Sequence, residues 1–386
     1  DERRVKMTRR CHTVVGSLVM LFVGAVIVSL AWAPVAGQNK RVEVEDWTPS
    51  RTPWDHPDLQ GIWANDTSTP LERPSVFAGK EFLTDEERAA YTAQRQRSRE
   101  NADRRDAAPG TVTDVGRAYG ALWRPVPGDA IARTSLIVDP LDGRVPALTT
   151  QARERYAAWA EARGLFASAA NPEGSLWNGG RTDSAPEDGT EGGVDGRGSR
   201  ADNPEDRRLS ERCIIWSPLP RLPGGYNNHY RIVQTPEHVV IELEMMHDVR
   251  IIPLNGGPHL PTPIRRWLGD PRGHWEGDTL VVDTTNFTDK APFKGSFEGL
   301  HLTERFTRVD ANTINYEVTV DDPATWTKAW TAAFPLRNLQ TLVGGVDQQQ
   351  VPQMFEYACH EGNYGLAGQL SGARATEGAA ASTGAR

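Results

Sequence analysis

The chain has 386 residues, with 43 Lys and Arg against 51 Asp and Glu, and a formal net charge of -8. This mildly acidic balance argues against a nucleic-acid-binding protein, which normally presents a basic face. The 12 Trp and 27 Pro favour short strands joined by turns over a helical bundle.

Residues 1–37 predict export. Met7 opens a basic segment, an apolar run covers residues 14–33, and small residues lead to Gly37. This order is typical of a cleaved secretory signal peptide, and residues 1–6 would then precede the start of translation. A run of about 20 apolar residues is also long enough to span a bilayer. We therefore expect a periplasmic or extracellular protein that contacts a membrane only if the signal segment stays uncleaved.

The cysteines agree with an oxidising compartment. Cys11 would leave with the signal segment, so Cys213 and Cys359 would remain as an even pair. In an exported protein such a pair predicts a disulfide, here one that joins the beginning of the C-terminal region to its end. The alternative is two buried free thiols.

The first half of the mature chain mixes few strands with two helices. Residues 38–82 predict an extended arm with a first strand at Gly61–Trp63. Residues 83–166 predict a helix, a β-hairpin and a second helix from about Thr150 to Arg163. Thr84 precedes the first helix as an N-cap, with Glu87 at the capping-box position. Residues 167–205 are rich in Gly, Asp and Ser and predict a flexible loop.

Residues 206–368 change to a period of two, which predicts strands. Around residues 238–252 the alternation assigns one face to apolar residues (Val239, Ile241, Leu243, Met245, Val249 and Ile251) and the other to charged ones, including Arg250. A hairpin turns at Glu276-Gly277-Asp278 within residues 270–290, and further strands end with "MFEYACHEG". Residues 369–386 predict a disordered tail.

Short turns between neighbouring strands favour an antiparallel up-and-down meander. Closure into a barrel would remove its open edges. The predicted fold is therefore mainly β, a lipocalin- or calycin-like barrel with two helices and a long flexible loop inserted.

Long motifs carry a resemblance to a known family. The stretches "EMMHDVRIIPL", "GHWEGDTLVVDTTNFT", "ERFTRVDANTINYEVTV" and "YACHEGNYG" resemble a large family of uncharacterised exported bacterial β-rich proteins. The resemblance covers most of the mature chain and implies export, but it brings no activity with it. The "GIW" at Gly61–Trp63 also resembles the Gly-x-Trp that opens the first strand of lipocalin-type barrels.

Polar residues on the predicted strands are the candidate catalytic groups, because no phosphate-binding loop, nucleophile elbow or zinc-protease motif is present. Inside a barrel, side chains far apart in sequence can meet. The candidate acid–base residues are Asp283, His301, Glu356 and His360. His247, His301 and His360 are candidate metal ligands, since imidazoles can hold a divalent metal such as zinc. The alternative is that each His caps a strand end or binds a buried carbonyl.

A second set of residues is suited to ligand binding. Arg250 can neutralise an anion, whereas Arg305 and Arg308 are interpreted as partners of neighbouring glutamates. Trp326 and Trp330 share one parity and either line a pocket or fill the core. Asn286 lies at the polar end of the 270–290 hairpin, near Asp283.

Three functions remain open from the sequence. The leading one is an exported barrel that binds a small apolar or sugar-like molecule. The second is a secreted hydrolase or lyase that uses the His and carboxylate residues, with or without a metal. The third is an envelope interaction module that has no pocket.

Overall fold

The architecture is taken from a computed structural model that describes residues 47–65, 67–103, 128–162, 203–207, 209–216, 218–224, 228–339, 354–361 and 363–384. Apart from Trp47, all of them belong to one unit, Thr48–Arg386. The predicted signal segment lies outside the described residues, as does nearly all of the predicted loop 167–205. Within the described stretches, no helix combines the length and apolar character needed to cross a membrane.

One antiparallel sheet organises the described residues. It contains ten strands: β1 (Gly61–Ala64), β2 (Ile137–Asp139), β3 (His229–Gln234), β4 (His238–Leu243), β5 (Val249–Pro253), β6 (Asp270–Glu276), β7 (Thr279–Thr285), β8 (His301–Asp310), β9 (Thr313–Asp321) and β10 (Trp330–Asn338). Their order is β5-β4-β3-β1-β10-β9-β8-β7-β6, and β2 pairs with β10 off this path. The meander predicted from the short turns is confirmed.

Strand β1 joins two separate meanders. It pairs antiparallel with β3 on one side and with β10 on the other, so β3–β5 and β6–β10 become one wall. Trp63 is fully buried there, and its indole N–H donates a hydrogen bond to the Leu59 carbonyl at 2.9 Å. The first strand predicted from "GIW" is therefore part of the sheet, although it lies far from β3 in sequence.

The two edges of the sheet meet at β5 and β6, which nearly closes the wall into a barrel. No strand pairing links β5 to β6, although the structure describes both completely. Their close approach depends on Gly273, because a Cβ at this position would lie 2.8 Å from Ile252 and 2.9 Å from Leu254. We call the β5–β6 contact the seam.

The barrel interior is filled by side chains. Alternate residues of β8, β9 and β10 are buried, as the period of two predicts. Aromatic rings occupy much of the volume: Tyr316 lies between Phe306 and Phe334, with ring centroids 4.9 Å and 5.0 Å away. This interior is a packed core, which suits a barrel of about this strand number.

The core also contains a buried ion pair. Arg250 of β5 and Glu304 of β8 are 4% and 1% exposed. The guanidinium binds both carboxylate oxygens, with 2.9 Å between Nη1 and Oε1. Tyr316 donates a further hydrogen bond to Glu304 at 2.9 Å. The bidentate geometry and the additional donor compensate for removing two charges from water.

The face assignment of β5 corrects the prediction. A turn at Met245–His247 separates β4 from β5, with left-handed backbone at Met246 (φ 62) and His247 (φ 47). Arg250 therefore pairs with Ile241 and points inward, whereas Val249 and Ile251 are exposed. The prediction ran one alternation through this turn and placed Val249, Arg250 and Ile251 on the wrong face.

The first two helices begin where the sequence predicts. Helix α1 (Asp85–Asp103) starts after Thr84, whose hydroxyl accepts from Glu87 N at 3.2 Å while Glu87 accepts from Thr84 N at 2.8 Å. The predicted capping box is thus confirmed. Helix α2 spans Thr150–Ala162 and buries Tyr156.

The end of the chain differs from the prediction. Residues 354–361 form no strand, so "MFEYACHEG" is not part of the sheet, and Phe355 is 79% exposed. Helix α3 (Tyr364–Gly384) occupies most of the predicted disordered tail. Its many alanines favour helix. The predicted disulfide Cys213–Cys359 is confirmed, with 5.7 Å between the two Cα atoms.

The buried ion pair yields a stability prediction. We expect Arg250→Met to lower the free energy of unfolding by about 3–5 kcal/mol, because Glu304 would stay buried without its counter-charge. Replacing both residues, Arg250→Met with Glu304→Leu, should recover most of this loss. Urea denaturation followed by far-UV circular dichroism measures both.

The matched control is an exposed ion pair between Arg305, the neighbour of Glu304 on β8, and Glu276 of β6. Arg305 contacts Glu276 at 2.8 Å, with 37% and 49% of the side chains exposed. Arg305→Met should change stability little, because water screens this pair. A double variant less stable than Arg250→Met would contradict the assignment of the cost to the unpaired carboxylate.

Candidate functional site

A cleft opens at the seam, outside the packed interior. Its volume is about 360 Å³, and its wall comes from five parts of the chain: the turn before β5 (His247 and Asp248), β5, the end of the β5–β6 loop (residues 254–269), Pro271 of β6, and Ile214 beside the disulfide. Arg250 is among the β5 residues that line it. We call it the seam cleft.

Four exposed apolar side chains lie around the seam cleft. Val249 is 48% exposed, Ile251 58%, Trp267 37% and Ile214 37%. Single exposed apolar residues are ordinary, but several around one concavity mark a binding surface. The turn at Met245–His247 causes this arrangement, because it directs Val249 and Ile251 outward.

Hydrogen bonds from the sheet hold the β5–β6 loop in place. Asn286, which adopts φ 57 just after β7, donates from Nδ2 to Leu260 O at 2.8 Å and accepts from Arg266 N at 2.9 Å. Arg272 donates to Pro258 O at 3.0 Å. Asn286, predicted as a ligand-binding residue, thus positions the backbone of a cleft-lining segment.

A second feature lies on the outer face of β6, β7 and β8. His259, from the β5–β6 loop, lies between two carboxylates: its Nδ1 is 3.2 Å from Asp270 Oδ2 and its Nε2 is 2.7 Å from Asp283 Oδ1. The other oxygen of Asp283 is 2.5 Å from His301 Nε2. We call this series, Asp270–His259–Asp283–His301, the His–Asp chain.

The His–Asp chain passes from a buried end to an exposed one. Asp270 is fully buried and accepts from Leu260 N at 2.8 Å and from Arg272 at 2.9 Å. His301 has 41% of its side chain exposed. His259 thus places one ring nitrogen beside each of two carboxylates and links the buried end of the chain to the exposed one.

The contacts within the His–Asp chain shift the pKa values of His301, Asp283 and Asp270. The hydrogen bond to Asp283, reinforced by the charges of Asp283 and Asp321, raises the pKa of His301 despite partial burial. The hydrogen bond from His301 in turn lowers the pKa of Asp283, with His259 adding to the effect against burial. Burial acts to raise the pKa of Asp270, but the Leu260 N–H and Arg272 outweigh it and leave that pKa lowered.

The structure brings only some of the predicted catalytic residues together. Asp283 and His301 are in direct contact on the outside of the barrel. Glu356 and His360 lie on the exposed, strandless segment 354–361, where Glu356 is 3.8 Å from His247. His259 and Asp270 were missed, because a histidine in the irregular stretch "NGGPHLPTP" has no strand parity to place it.

The predicted metal set is not assembled. Among the described residues, no group of three or more His, Cys, Asp or Glu side chains is arranged to hold a metal ion. His301 is engaged by Asp283, and His247 belongs to the turn before β5. The zinc cluster of His247, His301 and His360 required inward-facing strands, and none of the three imidazoles lies in the barrel interior.

The predicted tryptophans also lie elsewhere. Trp326 and Trp330 are 1% and 0% exposed and pack edge to face, with ring centroids 5.9 Å apart. They fill the core and do not line the seam cleft. Arg250 does line it, although its charge is already paired with Glu304.

The seam cleft and the His–Asp chain are therefore the two candidate sites among the described residues. No family model, curated protein or solved structure matches the chain. The family resemblance based on the long motifs stays a prediction.

The His–Asp chain predicts the titration of His301. In the folded protein the His301 imidazole should lose its proton above its ordinary value of 6.5, because Asp283 stabilises the charged form. Asp283→Asn should lower the His301 pKa, whereas Asp321→Asn should lower it less. NMR of the His301 ring protons against pH measures this directly.

The same contact sets a stability window. Because the His301 pKa is raised, its contribution is complete below about 6.5 and is lost as the pH rises through the raised value. Because the Asp283 pKa is lowered, its contribution is present above 3.8 and is lost in more acidic solution. The difference in unfolding free energy between wild type and His301→Asn should therefore peak between these limits, and a pH-independent difference would contradict the pairing.

Proposed function

We propose that this protein is exported and binds a small, largely apolar molecule in the seam cleft. The observation that carries the proposal is the ring of exposed apolar side chains around one concave surface, Val249, Ile251, Trp267 and Ile214. A ligand that covers these side chains would gain about 25 cal/mol of binding free energy for each Å² of apolar area removed from water.

The size of the seam cleft supports a small-molecule ligand. Sites for such ligands have volumes of roughly 300–1,000 Å³ and combine apolar walls with few polar groups. The seam cleft, at about 360 Å³, lies at the lower end of this range. The seam cleft is lined by residues from both edges of the sheet, so a ligand bound there would sit against the barrel wall, unlike the ligand of a lipocalin.

Two observations support export. The order of a basic segment, an apolar run and small residues in the first 37 positions is that of a signal peptide. The Cys213–Cys359 disulfide suits an oxidising compartment, where such bonds form and persist.

The binding proposal is tested with N-phenyl-1-naphthylamine, a neutral aromatic probe whose fluorescence rises in apolar surroundings. We expect saturable binding to the wild-type protein. Val249→Ser should weaken it by about fivefold and Trp267→Ala by more, because each removes apolar contact area.

Val233→Ser is the matched control. Val233 is 43% exposed on β3, away from the seam cleft, and compares closely with Val249 at 48%. It should leave probe binding unchanged. No saturable binding, or equal losses for the two serine variants, would refute the seam cleft as a ligand site.

The His–Asp chain favours a second candidate function, a hydrolase. Asp283 holds His301 through Nε2, which leaves Nδ1 directed away from the carboxylate. No described residue hydrogen-bonds to that nitrogen, so it is available to act as a general base. Nδ1 would take a proton from water as the water oxygen bonds to an ester carbonyl carbon. The ester C–O bond would then break, and the proton would pass to the leaving oxygen.

Hydrolysis of p-nitrophenyl acetate tests this second function. The rate should rise with pH as His301 loses its proton, and His301→Asn should remove most of the rate above background. His274→Asn is the control, since His274 is 54% exposed on the same outer face and contacts Glu276 at 3.1 Å. Equal rates for both variants would show that His301 has no catalytic role.

A further inference from the structure

The charges that line the seam cleft are almost all compensated within the protein. Asp248 binds Arg221 at 2.7 Å, with side chains only 13% and 3% exposed. Arg250 is neutralised by Glu304 in the core. These two cleft-lining charges therefore have partners of opposite sign and present little net charge to a ligand.

Arg266 is paired more loosely than Asp248 and Arg250, because its contact with Asp270 is an ion pair at 3.8 Å. Its side chain is 55% exposed, and its guanidinium makes no hydrogen bond to any described residue. The carboxylate it faces, Asp270, is 3.8 Å away and already accepts from Arg272, His259 and Leu260 N. The planar donors of Arg266 thus remain available at the rim of an apolar cleft.

His247 also lines the seam cleft, with 45% of its side chain exposed, and its Nε2 is 3.8 Å from the exposed carboxylate of Glu356. The backbone of Arg266 is fixed by its hydrogen bond to Asn286, so the position from which its side chain reaches the cleft is set by the sheet.

We infer that the ligand of the seam cleft is an amphipathic anion. Its carboxylate, sulfonate or similar group would bind the Arg266 guanidinium through paired N–H donors, while its apolar body packs on Trp267 and Ile251. This inference rests on the proposed function, because it assigns a ligand class to the same cleft.

A pair of probes that differ by one charged group tests the inference. N-phenyl-1-naphthylamine is neutral, and 1-anilinonaphthalene-8-sulfonate has the same ring system with an added sulfonate. We expect the sulfonate to bind wild-type protein about fivefold to tenfold more tightly, since a charge-assisted hydrogen bond is added. The advantage should shrink as NaCl is raised from 50 to 300 mM, because exposed charges are screened.

Arg266→Gln should abolish the preference for the sulfonate, so that the ratio of the two dissociation constants falls to about one. Arg265→Gln is the matched control: Arg265 is the preceding residue, donates to Glu298 O at 2.9 Å and does not line the seam cleft. It should preserve the preference. Trp267→Ala should weaken the binding of both probes. This result would show that the two probes occupy one site.

The outcomes separate the two proposals. If neither probe binds, the proposed function fails. If the neutral probe binds but the sulfonate binds no better, or if Arg266→Gln leaves the preference intact, the inference of an anionic ligand is overturned while apolar binding stands. Tighter binding of a neutral sugar than of either probe would also overturn it.

Discussion

The turn at Met245–His247 decides which face each side chain of β5 occupies, and both the core and the seam cleft depend on it. Two consecutive residues in left-handed backbone reverse the parity that a continuous alternation would give. Arg250 consequently enters the barrel, and Val249 and Ile251 leave it. Without this reversal an arginine would face water and the apolar rim of the cleft would be buried.

The inward arginine constrains the rest of the barrel. A charge in a packed interior needs a partner of matching geometry, and Glu304 of β8 supplies it from across the enclosure. The barrel interior thereby acquires a polar contact that specifies how β5 and β8 lie relative to each other. This pair and the aromatic rings around Tyr316 fill part of the interior.

Much of the fold follows from local patterns in the sequence. The hairpin of β6 and β7 was predictable because Gly277, at φ 58, lies in a turn between two alternating runs. The capping box at Thr84 and the Cys213–Cys359 pair follow from equally short-range or compositional rules. The face assignment of β5 failed because neither Met246 nor His247 is a residue type that predicts left-handed backbone. The strand predicted at residues 354–361 failed because alternation alone does not supply a neighbouring strand.

The candidate sites were predicted less well, for a related reason. His301 and Asp283 are on strands, so their shared outer face is implied by parity once β7 and β8 are paired. His259, Arg266 and Trp267 come from the β5–β6 loop, whose path is set by hydrogen bonds to Asn286 and Arg272 and not by any period. Tertiary contacts of this kind place loop residues, and a single sequence contains no direct signal for them.

Gly273 has a mechanical consequence for the wall of the barrel. The other neighbours along the sheet are tied by backbone ladders, whereas no ladder pairs β5 with β6, and Ile252 of β5 and Leu254 just after it lie against the bare glycine. The Arg250–Glu304 ion pair, which links β5 to β8, spans this joint from the inside. The seam cleft lies along the joint, so a molecule bound there would contact residues from both edges of the wall, Val249 to Ile251 of β5 and Pro271 of β6.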